Sequence, residues 1–254
     1  MRAIDRCRRV MLACAVLLAA SASAAAEGPD ASRAMGVSAE ARAVLDGMAK
    51  YLQGLQRFSI DAQESRDEVL SFGYKLQNQQ HAVLLVQRPD RLRVDVDGEL
   101  KVRSYVYDGD VLTVFAPRAE VYAQFDAPDT IAGTVDELLA RGVEMPLLDV
   151  LVQGFRGTLA DGARAGILVG ETTLDGVVVQ HLAFRQATID WQLWVAKGER
   201  PLPRKLLVTT RYEYGEPQYE ATFDWDLAPT IAADAFRFVP PAGTHRIEFA
   251  GGKP

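Results

Sequence analysis

The sequence predicts a mainly β fold of the α+β class: a strongly curved antiparallel sheet forming an incomplete barrel, covered by a few helices. Three observations predict it. Apolar and polar residues alternate with a period of two through much of the chain, turn signals interrupt these runs at short intervals, and few stretches carry helical spacing. Leu92, Val94 and Val96 alternate with Arg91, Arg93, Asp95 and Asp97. Tyr219, Ala221, Phe223, Trp225 and Leu227 alternate with Glu220, Thr222, Asp224 and Asp226. Ile189, Trp191, Leu193 and Val195 do the same, broken by Trp194. Alternation gives a sheet one dry and one polar face. Val111 to Ala116 and Val177 to Val179 are apolar on both faces and are expected to be covered twice.

The clearest turns are Arg88-Pro89-Asp90, Asp108-Gly109-Asp110, Ala116-Pro117-Arg118 and Asp175-Gly176. Between the turns lie eleven expected strands, near 57–66, 73–87, 91–97, 101–107, 111–116, 119–125, 164–172, 177–186, 189–196, 204–213 and 218–227. Connections this short cannot cross over, so pairing is expected to be mainly sequential and antiparallel. Ser38 caps an expected helix running to about Gln56, with Val44, Leu45, Met48, Leu52 and Leu55 on one stripe. Thr134 and Glu137 form a capping box that opens a short helix, and Pro146 starts another through Leu147, Leu148, Val150, Leu151 and Val152. A single sheet of this size curls, and the helices then fill or lid its mouth.

Ahead of this domain, residues 1–26 have the order of a secretory signal peptide: Arg2, Arg6, Arg8 and Arg9, an apolar run from Val10 to Ala20, then small residues to Ala26. The run is too short to span a bilayer, which needs about 20 residues. Cleavage before Glu27 removes both cysteines, Cys7 and Cys14, and leaves 27–254 as a single domain with no disulfide, thiol chemistry or permanent membrane anchor. That domain carries 24 basic and 33 acidic residues, a formal charge of −9, which speaks against nucleic acid as a partner.

The usual catalytic patterns do not occur. His81, His181 and His245 are far apart and have no neighbour at metal-ligand spacing, and no nucleophile elbow, P-loop or dinucleotide-binding glycine pattern is present. No cofactor is expected. Asp108 and Asp110 flank a glycine, where aspartate serves the turn. His181 alternates with Val177 and Val179, as a packed strand histidine does. A carboxylate pair of the glycosidase kind remains open.

Three segments carry a resemblance: Val86-Gln87-Arg88-Pro89-Asp90-Arg91-Leu92-Arg93-Val94, then Val106 to Pro117, then Asp234-Ala235-Phe236-Arg237-Phe238-Val239-Pro240-Pro241-Ala242-Gly243. In order and spacing they resemble the periplasmic lipoprotein-carrier superfamily, which includes LolA, LolB and the sensor RseB. Residues 163–228 are similar to an uncharacterised family of predicted periplasmic proteins, through His181 to Gln186, Asp190 to Trp194, Arg200 to Lys205 and Pro217-Gln218-Tyr219. The resemblance implies a half-open barrel in the periplasm whose concave face holds acyl chains of a lipid or lipoprotein. It implies a role for Arg88, which precedes a proline as the carrier's functional arginine does. Leu92 stands where the carrier has an aromatic gate residue.

The expected function is non-enzymatic lipid or lipoprotein binding. The expected ligand-binding residues are Arg88, Leu92, Val94, Phe115, Leu193 and Phe223. Arg88 is either an exposed strand-end residue or a group whose guanidinium holds lid carbonyls when empty and a ligand ester when filled. The alternatives are an RseB-like sensor with a membrane-associated protein partner, and a carboxylate-dependent hydrolase.

Overall fold

The structure, a computed structural model, describes residues 36–141, 156, 157 and 159–248. The expected signal segment and the expected helix after Pro146 lie outside the described residues. The chain opens with β1 (Gly36–Val37) and α1 (Ala39–Gly54), followed by six strands: β2 (Arg57–Val69), β3 (Lys75–Gln87), β4 (Arg91–Gly98), β5 (Val102–Tyr107), β6 (Val111–Ala116) and β7 (Val121–Asp126). Helix α2 (Ile131–Ala140) comes next. The remaining strands are β8 (Ala165–Leu174), β9 (Val177–Arg185), β10 (Ile189–Ala196), β11 (Pro203–Thr210), β12 (Gln218–Asp226) and the short β13 (His245–Arg246).

Among the described residues, these 13 strands form one sheet in the order β1-β8-β9-β10-β11-β12-β2-β3-β4-β5-β6-β7-β13. The end strands β1 and β13 do not pair with each other, so the barrel is incomplete, as expected. Hairpin pairing builds two sequential antiparallel blocks, β2–β7 and β8–β12. One long-range ladder joins them, β12 against β2, from Tyr219 opposite Arg66 to Asp226 opposite Ser59. The short edge strands β1 and β13 add in parallel to β8 and β7.

Alternation puts one apolar set on the concave side. Phe58, Ile60 and Ala62 of β2, Ala82, Leu84 and Val86 of β3, Leu92 and Val94 of β4, Trp191, Leu193 and Val195 of β10, and Ala221 and Phe223 of β12 belong to one buried cluster. Helix α1 closes it with Ala41, Leu45, Met48 and Leu52. Its start is set by Ser38, whose hydroxyl accepts from the Ala41 N–H at 3.2 Å. Helix α2 adds Ile131, Val135 and Leu138.

The expected capping box of α2 is corrected by one turn. Thr130 is the cap, its hydroxyl accepting from the Gly133 N–H at 3.2 Å. Thr134 lies inside the helix and donates back to the Thr130 carbonyl at 2.9 Å. Glu137 instead pairs with Arg141, one turn on, at 2.6 Å. A threonine followed by a glutamate three residues later therefore served the helix interior, and the earlier threonine served its end.

Candidate functional site

The concave face has a closed end and an open end. At the closed end the helices lie over the sheet, and the side chains expected to line a cavity are packed on all sides. Leu92 is 0%, Leu193 1% and Phe223 2% exposed, with Val94 at 5%. Phe184 and Trp191 stack beside them at 4.0 Å between ring centres, and Trp225, tilted against Phe58, donates its indole N–H to the Pro203 carbonyl at 2.8 Å.

Phe115 is corrected: it is on the opposite face. The ladder sets Leu112 against Tyr107 and Val114 against Tyr105 on the concave side, which turns Phe115 outward opposite Ser104 and Tyr122. There it meets Phe238 of the C-terminal segment at 5.5 Å, and Tyr122 meets the same ring at 5.3 Å. Because β6 is apolar on both faces, alternation alone did not choose its inward side. Its expected double cover is present, and Phe238 supplies the outer layer.

Arg88 follows β3 at the closed end. Its guanidinium donates to the Gln53 carbonyl in the last turn of α1 at 3.3 Å, while its own N–H donates to the Gln56 carbonyl at 2.9 Å. Burial pulls the guanidinium below its ordinary value. A cation here also faces the negative end of the α1 dipole.

Other singled-out residues take structural roles. Asp108 accepts from the N–H groups of Asp110 at 3.1 Å and Val111 at 2.9 Å, holding a turn whose Gly109 has φ +102°. His181 stacks on Trp194 at 4.3 Å and hydrogen-bonds Gln192 at 2.9 Å on the outer face. No group of metal-ligating side chains occurs among the described residues.

The open end is where sequence reasoning placed nothing. Among the described residues, strands β2 and β3 run on past α1 and α2, and with β11 and β12 they form the floor of a trough of about 790 Å³. Val69, Leu100, Val208 and the ring of Tyr219 give it apolar walls, while Arg66, Glu68, Asn78 and Gln218 give it polar edges. A recess of 120 Å³ adjoins it, lined by Glu64, Gln80, Lys101 and Tyr219.

Glu64 is the floor's distinctive group. It continues the inward phase of Phe58, Ile60 and Ala62, and is 5% exposed. Gln80 donates its amide to the carboxylate at 2.6 Å. Burial pushes the Glu64 carboxyl above its ordinary value, against the opposing influence of Gln80, Tyr219 and the Lys101 charge. The Tyr219 hydroxyl is buried beside this carboxylate, acts on it as a hydrogen-bond donor, and has no other partner among the described residues. Burial, then the Glu64 charge, drives its phenol well above the ordinary value, so it stays a donor. Arg88 follows the last residue of β3 while the recess meets that strand at Gln80, eight residues earlier and about 26 Å away along the strand. The structure therefore does not bring the expected arginine and the trough together.

Residues 41–250 match the family described as predicted periplasmic protein (DUF2092), and the chain belongs to it. The family expected from residues 163–228 is thus the one found, and it spans nearly the whole described region. No curated protein matches the chain. Among solved structures, LprF from Mycobacterium bovis is 11% identical with a TM-score of 0.50, over 78% of this chain and 98% of that one. An uncharacterized conserved protein from Thermus thermophilus is 12% identical with a TM-score of 0.49, over 82% and 99%. A LolA superfamily protein from Nitrosomonas europaea is 11% identical with a TM-score of 0.36, over 78% and 97%. The LprF match shows a shared fold.

Proposed function

We propose that this periplasmic family member is a non-enzymatic binder of lipid or lipoprotein acyl chains, and that the ligand lies in the open trough rather than among the packed residues of the closed end. One observation carries the reading. A concave surface of ligand-pocket size, with apolar walls and polar edges, continues the inner face of the sheet past α1 and α2, the helices among the described residues. Each methylene that an acyl chain lays against Val69, Leu100 and Val208 contributes up to about 0.8 kcal/mol. The Tyr219 hydroxyl, buried beside Glu64, is a donor within the recess that can turn to an ester or amide carbonyl at the head of that chain. An esterified or amide-linked chain satisfies both parts of the trough.

The hydrolase alternative gains less support. Glu64 is the one carboxylate among the described residues that is buried, and the groups that act on it are an amide, a phenol and an ammonium rather than a second carboxyl.

The test is binding of a fluorescent acyl probe to the purified protein and to Val208→Arg, with circular dichroism as the control for folding. Filling the trough with a charged side chain is expected to weaken the probe at least tenfold while the spectrum is unchanged. Equal affinity in a folded Val208→Arg would remove the trough as the ligand site.

A further inference from the structure

The trough opens between two hairpin tips that carry more exposed aromatic surface than turns require. The β2–β3 tip presents Phe72 and Tyr74, 69% and 68% exposed, and the β11–β12 tip presents Tyr212 and Tyr214, 76% and 77% exposed. Pairing of β12 with β2 brings the tips together. Lys75 Nζ donates to the Gly215 carbonyl at 3.2 Å, and the Tyr214 hydroxyl sits 3.1 Å from where a Cβ on Gly73 would be. Gly73 has φ +93°, so glycine serves both the turn and this contact. Phe72 and Tyr74 pack edge to face at 5.3 Å. Leu76 and Leu100, 46% and 68% exposed, extend the apolar surface from the tips. Val69 and Glu213, which flank the two tips, are also trough walls.

We infer that these tips seat the protein on the surface of a zwitterionic lipid bilayer, with the four rings in the headgroup layer and the trough mouth facing the lipid. Three features favour a bilayer. The rings stand on projecting turns rather than in a groove, so they can enter a soft layer without a complementary partner surface. Tyrosine is the side chain suited to that depth, with an apolar body and a polar tip. The charges balance: across 70–76, 98–101 and 211–216, Lys75, Lys101 and Arg211 meet Glu99, Glu213 and Glu216. Three against three, on a chain of net charge −6, offers no pull toward an anionic surface and no penalty at a neutral one. The geometry of the tips is independent of the trough's occupant. The purpose of docking, acyl transfer between bilayer and trough, rests on the function proposed above.

The experiment is flotation of the purified protein with phosphatidylcholine vesicles, beside a variant carrying Phe72→Ser, Tyr74→Ser, Tyr212→Ser and Tyr214→Ser. Soluble acyl-probe binding is measured in parallel. The expected result is at least a tenfold loss of vesicle partitioning in the variant, with probe affinity unchanged. A single Tyr214→Trp is expected to show blue-shifted emission on adding vesicles, and quenching by brominated lipid. Absent partitioning of the wild type, partitioning unaffected by the four substitutions, or a strict need for anionic lipid would each overturn the inference. So would concentration-dependent self-association that the four substitutions abolish, which would assign the tips to a second copy. Failure of Val208→Arg to weaken the probe would instead defeat the trough reading and leave vesicle docking intact.

Discussion

Truncating Leu92 separates a packed core from a ligand cavity. Its side chain is 0% exposed, in one cluster with Leu84, Val86 and Tyr107, and with Met48 and Leu52 of α1 above. If these atoms meet on every side, Leu92→Ala removes their contacts and leaves a void. Buried leucine-to-alanine changes of this kind cost about 2–5 kcal/mol, the upper part of that range where the surroundings cannot collapse. Leu92 lies mid-sheet, held between the ladders of β3 and β5, so collapse is restricted and a loss of about 3–4 kcal/mol is expected. With a urea dependence of about 3 kcal/mol per molar, the midpoint of unfolding falls by roughly 1 M. The assay is urea titration followed by tryptophan emission, with the acyl-probe affinity of the folded variant measured alongside. A loss below about 1 kcal/mol, with an altered probe affinity, would mean that Leu92 faces ligand space, and the division into closed and open ends would be wrong.

Two further outcomes are expected. The Glu64 carboxyl is raised by burial above its ordinary 4.5, so folding takes up a proton; stability is greatest below that value and falls as pH rises through the folded pKa. Glu64→Gln keeps an acceptor for Gln80 and removes this loss, so its urea midpoint should gain on the wild type as pH rises above 4.5, and a pH-independent difference would refute the assignment. Arg88→Leu should keep the fold and lose about 0.3–1 kcal/mol from the end of α1 while leaving the release rate of bound probe unchanged; a changed release rate would place Arg88 on the ligand's path and count against the trough as the sole site.

Much of the fold was legible because alternation and turn chemistry are local. Most strand positions and the Ser38 cap follow from residues a few positions apart, while the incomplete closure followed from the number and length of the strands and from the family resemblance. The β12–β2 ladder was not legible, because it joins segments about 160 residues apart and no short-range pattern marks it. Phe115 was misplaced for a definite reason: with Leu112, Val114 and Phe115 all apolar, period two has no preferred face, and a distant phenylalanine, Phe238, decides it. The site was less legible than the fold, although signals for it existed. Glu64 stands in the inward phase after Phe58, Ile60 and Ala62, where a carboxylate has no reason to be in a plain core. Phe72-Gly73-Tyr74 and Tyr212-Glu213-Tyr214-Gly215 put aromatics where turns ordinarily take small or polar residues.

The trough is a consequence of unequal lengths. Strands β2 and β3 have 13 residues each, which at about 3.3 Å per residue makes a hairpin of roughly 40 Å. Helix α1 has 16 residues, which at about 1.5 Å per residue reaches roughly 24 Å even when laid along the strands. Roughly 15 Å of concave sheet therefore lies beyond its cover. The composition of β2 changes where cover ends: Phe58, Ile60 and Ala62 point inward under the helix, then Glu64, Arg66 and Glu68 in the same phase. An uncovered end made wholly of leucine and valine would be a site for aggregation. One made wholly of charge would hold no chain. The mixture actually present, apolar walls from β11, Tyr219 and Leu100 around a few buried polar groups, keeps the end soluble while leaving apolar surface for an acyl chain to cover.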